Sequence, residues 1–144
     1  TVPVKDFYRG LYETALEPGE ILVEVKVPPA PMESRALYLK YSSLSANDWP
    51  CLGVAALLNL KGKCCEELRL AVSGLADKPL LIEGLALARN ETITDSLLDE
   101  IARIVDEQIS PISDLRGSEW YKRETARVFV KRAIRELANE DPHL

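Results

Sequence analysis

The chain has little of the chemistry that a self-contained enzyme usually needs. Its one histidine, His143, stands next to the end of the sequence, where side chains are usually exposed and idle. Without a second histidine, Ser–His and Cys–His nucleophile pairs are disfavoured. The seven glycines are scattered, so neither a G-x-G-x-x-G motif nor a P-loop occurs. An autonomous active site is therefore the weakest interpretation of the chain.

The chain also has few cysteines, no net positive charge and no long apolar run. The three cysteines are Cys51, Cys64 and Cys65, and an odd number with two adjacent suits neither a disulfide framework nor a zinc site. Reduced thiols in a cytoplasmic protein are the simplest expectation. The net charge of −5 disfavours nucleic acid as the main partner. No apolar run reaches the length that a membrane-spanning helix needs.

The first half of the chain has the alternation of β-strands. Over residues 20–27, four apolar side chains fall on one face, with Glu24 and Lys26 on the other; the four are Ile21, Val23, Val25 and Val27. Further strands are predicted over 34–41 and 67–72. The apolar run 50–60 fits a strand or a buried helix, and the Lys61–Lys63 turn that follows favours a central strand.

The second half has the spacing of helices. A short helix is predicted over 79–87, since proline is tolerated at a first helical position. Either Thr94 or Asp95 caps the next, amphipathic helix, and Ser118 caps a last helix that runs to Ala138. Strands followed by helices predict an α+β fold, with an antiparallel sheet of about four strands and three helices packed on one face.

The segment before the last helix contains a turn between Pro111 and Gly117. Asp114 and Arg116 are expected to pair across this turn. Basic and acidic residues then alternate along the helix, which predicts a solvated face. The basic residues are Lys122, Arg123, Arg127, Lys131, Arg132 and Arg135.

The pattern Pro-x-x-Asp-x-Arg-Gly-Ser from Pro111 to Ser118, followed by a tyrosine and a basic pair, resembles the C-terminal signature of one family. That family is the FAD-binding (medium) subunit of the molybdenum hydroxylases, of the carbon monoxide dehydrogenase and xanthine dehydrogenase type. The resemblance covers nearly the whole chain. It extends over Asp6-Phe7-Tyr8-x-Gly10, Gly19-Glu20-Ile21-Leu22, Lys40-Tyr41, Asp48-Trp49 and residues 78–90.

The resemblance implies a division of the chain and a function. Residues 1–18 are then a connector from a missing N-terminal FAD-binding region, and residues 19–144 are the C-terminal domain. The domain is expected to cover FAD, which passes electrons from [2Fe-2S] clusters to an acceptor such as NAD. Molybdopterin and the [2Fe-2S] clusters are expected only in partner subunits. The resemblance thus implies that the chain is part of a cytoplasmic oxidoreductase, and we expect no activity from it alone.

The resemblance also implies two cofactor-binding residues. Leu22 and Lys40 correspond to positions near the flavin, and an amine at Lys40 would stabilise negative charge on the reduced ring. The alternative for Leu22 is an apolar residue at the edge of a strand, and for Lys40 a surface lysine. Tyr12 stands where the xanthine dehydrogenase branch has an arginine near the acceptor, which leaves the acceptor open.

A second hypothesis assigns the chain no redox role. The chain is then a free-standing interaction module, which binds a protein through the aromatic residues of 1–18 together with Tyr121 and Val128. These two helix residues fall outside the predicted core stripe of the last helix, so they need a contact surface either inside the domain or across a subunit boundary. The predicted stripe contains Ala126, Phe129, Val130, Ala133, Ile134 and Leu137.

Overall fold

The fold consists of an antiparallel sheet and of helices that cover one of its faces. The computed structural model describes residues 1–43, 45 and 48–139. The α+β class with a four-stranded antiparallel sheet is confirmed. The elements are α1 (Val4–Phe7), β1 (Tyr8–Gly10), β2 (Glu13–Thr14), β3 (Ser34–Tyr41), β4 (Leu52–Lys61), β5 (Cys64–Ser73), β6 (Leu80–Leu81), a 3₁₀ turn (Leu85–Ala88), α2 (Asp95–Gln108) and α3 (Glu119–Asn139).

The main sheet has its strands in chain order, β3-β4-β5-β6, and each strand is antiparallel to the next. Successive side chains of a strand point to opposite faces, so each strand supplies one inner and one outer row. The inner rows of β4 and β5 make the floor of the core. They contain Leu52, Val54, Ala56, Leu58, Leu68, Leu70 and Val72, all 8% exposed or less.

Helices α2 and α3 cover this floor, and local signals in the sequence set where they begin. Leu97 N donates to Thr94 Oγ1, and Tyr121 N donates to Ser118 Oγ, so both residues cap as predicted. Helical spacing then brings one apolar stripe of each helix to the core. The stripes contain Leu98, Ile101, Val105, Ala126, Val130, Ala133, Ile134 and Leu137. No helix in the described residues is long and apolar enough to cross a membrane.

The basic face of α3 is less solvated than the sequence predicts. Arg123 reaches α2, where Nη1 donates to the carbonyl of Asp106 at 2.8 Å and to its Oδ1 at 3.2 Å. Arg127 binds the other carboxylate oxygen of Asp106 at 3.0 Å. Burial opposes ionisation of this carboxyl, but hydrogen bonds from Arg127 and Arg123 outweigh it, so the pKa of Asp106 lies below its usual value. These contacts join the two helices.

Residues 20–27, here called the valine segment, do not form the predicted strand. The segment lies outside the main sheet and outside the small two-stranded sheet of β1 and β2, and it pairs with no strand in the described part of the chain. Val23, for example, is 85% exposed. Alternation specifies which side chains a strand would bury, but it does not supply the neighbouring strand. The prediction is therefore wrong for the sheet of this chain.

The predicted helix over 79–87 is also wrong, and its residues supply the fourth strand instead. Leu80 and Leu81 pair with Val72 and Ala71 of β5, forming β6. Gly84 then adopts a φ of +78°, which favours glycine and separates the strand from the 3₁₀ turn. Two long helices and this turn therefore stand where three helices were predicted.

Candidate functional site

The outer face of the main sheet is the surface that the helices leave open. Its central row runs across all four strands, from Tyr38 through Ala55 and Ala71 to Leu81. Tyr38 is 57% exposed and Leu81 is 66% exposed. The neighbouring row adds Ala36, Leu57 and Arg69, and both rows line a shallow depression of about 490 Å³. The face is therefore mostly apolar, with small side chains at its centre.

Lys40 lies on this outer face, two residues beyond Tyr38 on β3. In the register of the sheet, its row continues through Gly53 of β4 to Ser73 of β5. A Cβ at Gly53 would lie 2.3 Å from Tyr38 Oη and 2.6 Å from Ser73 Oγ. Both hydroxyls therefore lie close to Gly53, in the space that a side chain there would fill, and Lys40 pairs with Gly53 across the strands. These residues, Tyr38, Lys40, Gly53 and Ser73, are here called the polar corner of the face; Arg69, paired with Glu67, is a further charged residue on it.

The two predicted cofactor-binding residues lie on separate elements. Lys40 is on β3, whereas Leu22 belongs to the valine segment and is 57% exposed. The sequence reasoning missed Tyr38, Gly53 and Ser73. Alternation along β3 could have placed Tyr38 with Lys40. No local signal could have found the other two, because only the pairing of three strands brings them there.

A second polar cluster lies where the turn before α3 folds back. Lys122 is the one charged residue that is fully buried in the described residues, at 2% exposure, although the sequence predicts it to be solvated. Its Nζ lies 2.9 Å from Asp114 Oδ2 and donates to the carbonyl of Ile112 at 2.8 Å. Arg116 N also donates to Asp114 Oδ1 at 2.8 Å, and its guanidinium binds Oδ2. The predicted pairing of Asp114 with Arg116 is confirmed.

This turn contacts the segment that follows Lys40. Ser43 Oγ donates to the carbonyl of Arg116 at 3.0 Å, and the Arg116 guanidinium lies 5.7 Å from the centre of the Trp49 ring. The hydroxyls of Tyr41 and Tyr121 also share a hydrogen bond. Tyr121 therefore finds its contact inside the domain. Val128, the other residue predicted to need a contact surface, is 61% exposed.

The carboxyl of Asp114 makes this cluster sensitive to acid. Burial opposes its ionisation, but hydrogen bonds from Lys122 and Arg116 outweigh it, so the pKa of Asp114 lies below its usual value. The stability that the ionised group contributes is present above its unfolded-state pKa of about 3.9 and is lost as the pH falls through the lower folded-state pKa.

We therefore expect the stability deficit of Asp114→Asn, relative to the unaltered chain, to be largest at neutral pH and to shrink below about pH 4. Urea unfolding measured from pH 7 to pH 3 checks this. Asp77→Asn, at an exposed position, controls for the change in net charge. A deficit that stays constant across the whole pH range would contradict the assignment.

Other candidate chemistry is sparse. Within residues 1–43, 45 and 48–139, no three His, Cys, Asp or Glu side chains lie together as a metal site would need. Burial raises the pKa of the thiols of Cys51 and Cys65, which disfavours a reactive thiolate at either position. His143 lies outside the described residues.

Comparison with known proteins identifies the family. Residues 37–137 match the model of the CO dehydrogenase flavoprotein C-terminal domain. The chain belongs to this family. It is 33% identical over 141 residues to the glyceraldehyde dehydrogenase medium chain of Sulfolobus acidocaldarius, covering 96% of this chain and 49% of that protein. It is 30% identical over 137 residues to a xanthine dehydrogenase FAD-binding subunit of Escherichia coli O157:H7, and the match covers 94% of this chain and 47% of that protein.

Solved structures of the family share the fold. Carbon monoxide dehydrogenase from Hydrogenophaga pseudoflava superimposes with a TM-score of 0.86 at 29% identity, over 94% of this chain and 47% of the matched chain. Quinoline 2-oxidoreductase from Pseudomonas putida 86 superimposes with a TM-score of 0.84 at 27% identity, over 92% of this chain and 46% of the matched chain. The chain thus spans about half the length of the relatives that it matches.

Proposed function

We propose that this chain is the C-terminal domain of the flavoprotein subunit of a molybdenum hydroxylase. In this proposal it covers FAD, held mainly by an N-terminal region of the same subunit, and supports electron transfer from [2Fe-2S] clusters to an acceptor such as NAD. The observation that carries the proposal is the match, over 94% of the chain, to a protein named as an FAD-binding subunit. Molybdopterin and the [2Fe-2S] clusters belong, in this proposal, to partner subunits.

The outer face of the sheet has properties that suit one side of a flavin ring. It offers apolar side chains that exclude water, and a polar corner in which Lys40 supplies an amine. Bound FAD would supply the redox chemistry, and the domain would supply shielding and charge. Leu22 remains the second proposed contact, on the valine segment. The acceptor stays open, because Tyr12 stands where a related branch has arginine.

The proposal is tested first on the full-length protein that contains this chain. We expect the purified protein to show the visible absorbance of oxidised flavin, which bleaches on reduction. A protein that is folded but colourless, even after incubation with FAD, would contradict the proposal and favour the interaction module.

The role of Lys40 is tested by Lys40→Met in the same protein. Removing a positive charge beside the reduced ring should lower the flavin midpoint potential by about 30 mV or more, which is ~1.4 kcal/mol for a two-electron couple. Lys63→Met removes the same charge from the turn between β4 and β5 and serves as the matched control. The midpoint potentials are measured by redox titration with dyes of known potential. Equal shifts in the two variants would contradict the proposal that Lys40 lies beside the flavin.

A further inference from the structure

The ring of Tyr38 occupies space that Gly53 leaves open. Side chains of a strand usually stand away from the plane of the sheet. A Cβ added at Gly53 would, however, lie only 2.9 Å from Tyr38 Cε2, and the hydroxyl oxygen of Tyr38 is closer still. Gly53 is on β4, two residues before Ala55, the residue that pairs with Tyr38. The ring of Tyr38 therefore leans across β4 toward Gly53, with its hydroxyl end close to the backbone of the sheet.

Close approach explains why a glycine stands at this position. Gly53 is not among the glycines with a positive φ, so its backbone conformation is open to other residues. Any side chain at Gly53 would meet Tyr38 and also Ser73 Oγ, which lies 2.6 Å from the same Cβ position. A glycine inside a strand has no side chain to pack, and it often marks a place where another group approaches the backbone closely. Gly53 thus forms a cradle in which the Tyr38 ring lies.

The leaning ring presents a flat surface on the open face of the sheet. Tyr38 is 57% exposed even though its hydroxyl end lies low over Gly53. The next residues of its row, Ala55 and Ala71, have small side chains, so the surface beside the ring stays low. Lys40 pairs with Gly53 and brings an amine to the same corner. A planar ligand can stack on an aromatic face at such a place, with polar groups at its edge.

We propose that Tyr38 is a stacking contact for the isoalloxazine ring of FAD, and that Gly53 is a positioning residue that acts through Tyr38. The inference rests on the proposed function, because it takes FAD to be the planar ligand that this face covers. To the two predicted contacts, Leu22 and Lys40, it adds a residue that binds the flavin by the face of its ring. Tyr38 would exclude water from one side of the flavin, while Lys40 would supply the charge beside the reduced ring.

Variants of Tyr38 in the full-length protein that contains this chain test the stacking contact. Tyr38→Leu should raise the dissociation constant of FAD by about 2–10-fold, the loss expected for one aromatic stacking pair. It should also shift the visible absorbance band of the bound flavin, recorded at saturating FAD, because the flavin loses its aromatic neighbour. Tyr38→Phe keeps the ring and should restore an affinity close to that of the unaltered protein.

The matched control makes the same replacement on a different element. Tyr8→Leu changes a tyrosine of β1, outside the main sheet, and should alter neither the affinity for FAD nor the absorbance band. An unchanged affinity and band in Tyr38→Leu would overturn the stacking contact. Equal effects in Tyr8→Leu, or a Tyr38→Phe variant that binds FAD as weakly as Tyr38→Leu, would overturn it as well.

Gly53→Ala tests the positioning role. The added methyl group would enter the space of the Tyr38 ring, so the dissociation constant of FAD should rise by a factor similar to that in Tyr38→Leu. When both changes are combined, the rise should be no larger than in Tyr38→Leu alone, because the two residues act on one contact. Additive losses would contradict the positioning role.

The same measurements separate this inference from the proposed function. A full-length protein that is folded by circular dichroism but binds no FAD would contradict the proposed function and this inference together. FAD bound with the same affinity and the same absorbance band in every Tyr38 variant would overturn the inference alone.

Discussion

Replacing Lys122 with methionine is expected to lower the free energy of unfolding of this chain by about 3 kcal/mol. The substitution keeps most of the side-chain volume but removes the ammonium that Asp114 and the carbonyl of Ile112 share. Asp114 keeps its bonds to Arg116, and its side chain is 27% exposed, so we expect a loss at the lower end of the range for buried pairs. Urea unfolding followed by circular dichroism measures it.

A lysine on the same helix provides the control. Lys131 pairs with Asp99, whose side chain is 65% exposed, so Lys131→Met should cost only about 0–1 kcal/mol. If Lys122→Met also loosens the contact between the turn at Arg116 and Trp49, the fluorescence of Trp49, measured in a Trp120→Phe background, should change as well. A loss at Lys122 no larger than at Lys131 would contradict the buried pair.

Truncating Leu58 to alanine should cost a similar amount for a different reason. Leu58 is fully buried on the inner face of β4, so Leu58→Ala should leave a cavity and lower the free energy of unfolding by about 2–5 kcal/mol. Leu57, its neighbour in the chain, lines the outer face. We expect Leu57→Ala to cost under about 1 kcal/mol in the chain alone.

The comparison of these adjacent leucines is informative because their sequence surroundings are the same. Thermal or urea unfolding of both variants measures the difference directly. Similar losses at the two positions would mean that the outer face is covered already, and the open surface described for the sheet would be wrong.

The parts of the fold that were predictable are those that local sequence specifies. The caps at Thr94 and Ser118, the stripes of α2 and α3, and strand β3 all follow from residues within a few positions of one another. Their signals are hydrogen bonds to nearby backbone groups and the period of the apolar residues. Neither depends on the remainder of the chain.

The features that were missed depend on contacts between distant segments. Lys122 looks like one of several helix lysines and arginines until the turn at Asp114 folds against it. Gly53 joins Tyr38 and Ser73 only through the register of three strands. The valine segment has the apolar alternation of a strand. Such alternation predicts which face of the strand is buried, but it does not predict which surface covers that face.

The order of the strands in the sheet also has a consequence for how the chain folds. Because β3, β4, β5 and β6 pair in the order of the sequence, each new strand can add to the one before it as the chain is synthesised, with short loops to close. The cover of the inner face is complete only when α3, the last helix, is added; its Leu137 carbonyl accepts from Arg35, 102 residues earlier. During synthesis we therefore expect the inner apolar face of the sheet to stay incompletely covered until α3 has been made, and binding by chaperones to be strongest in that interval.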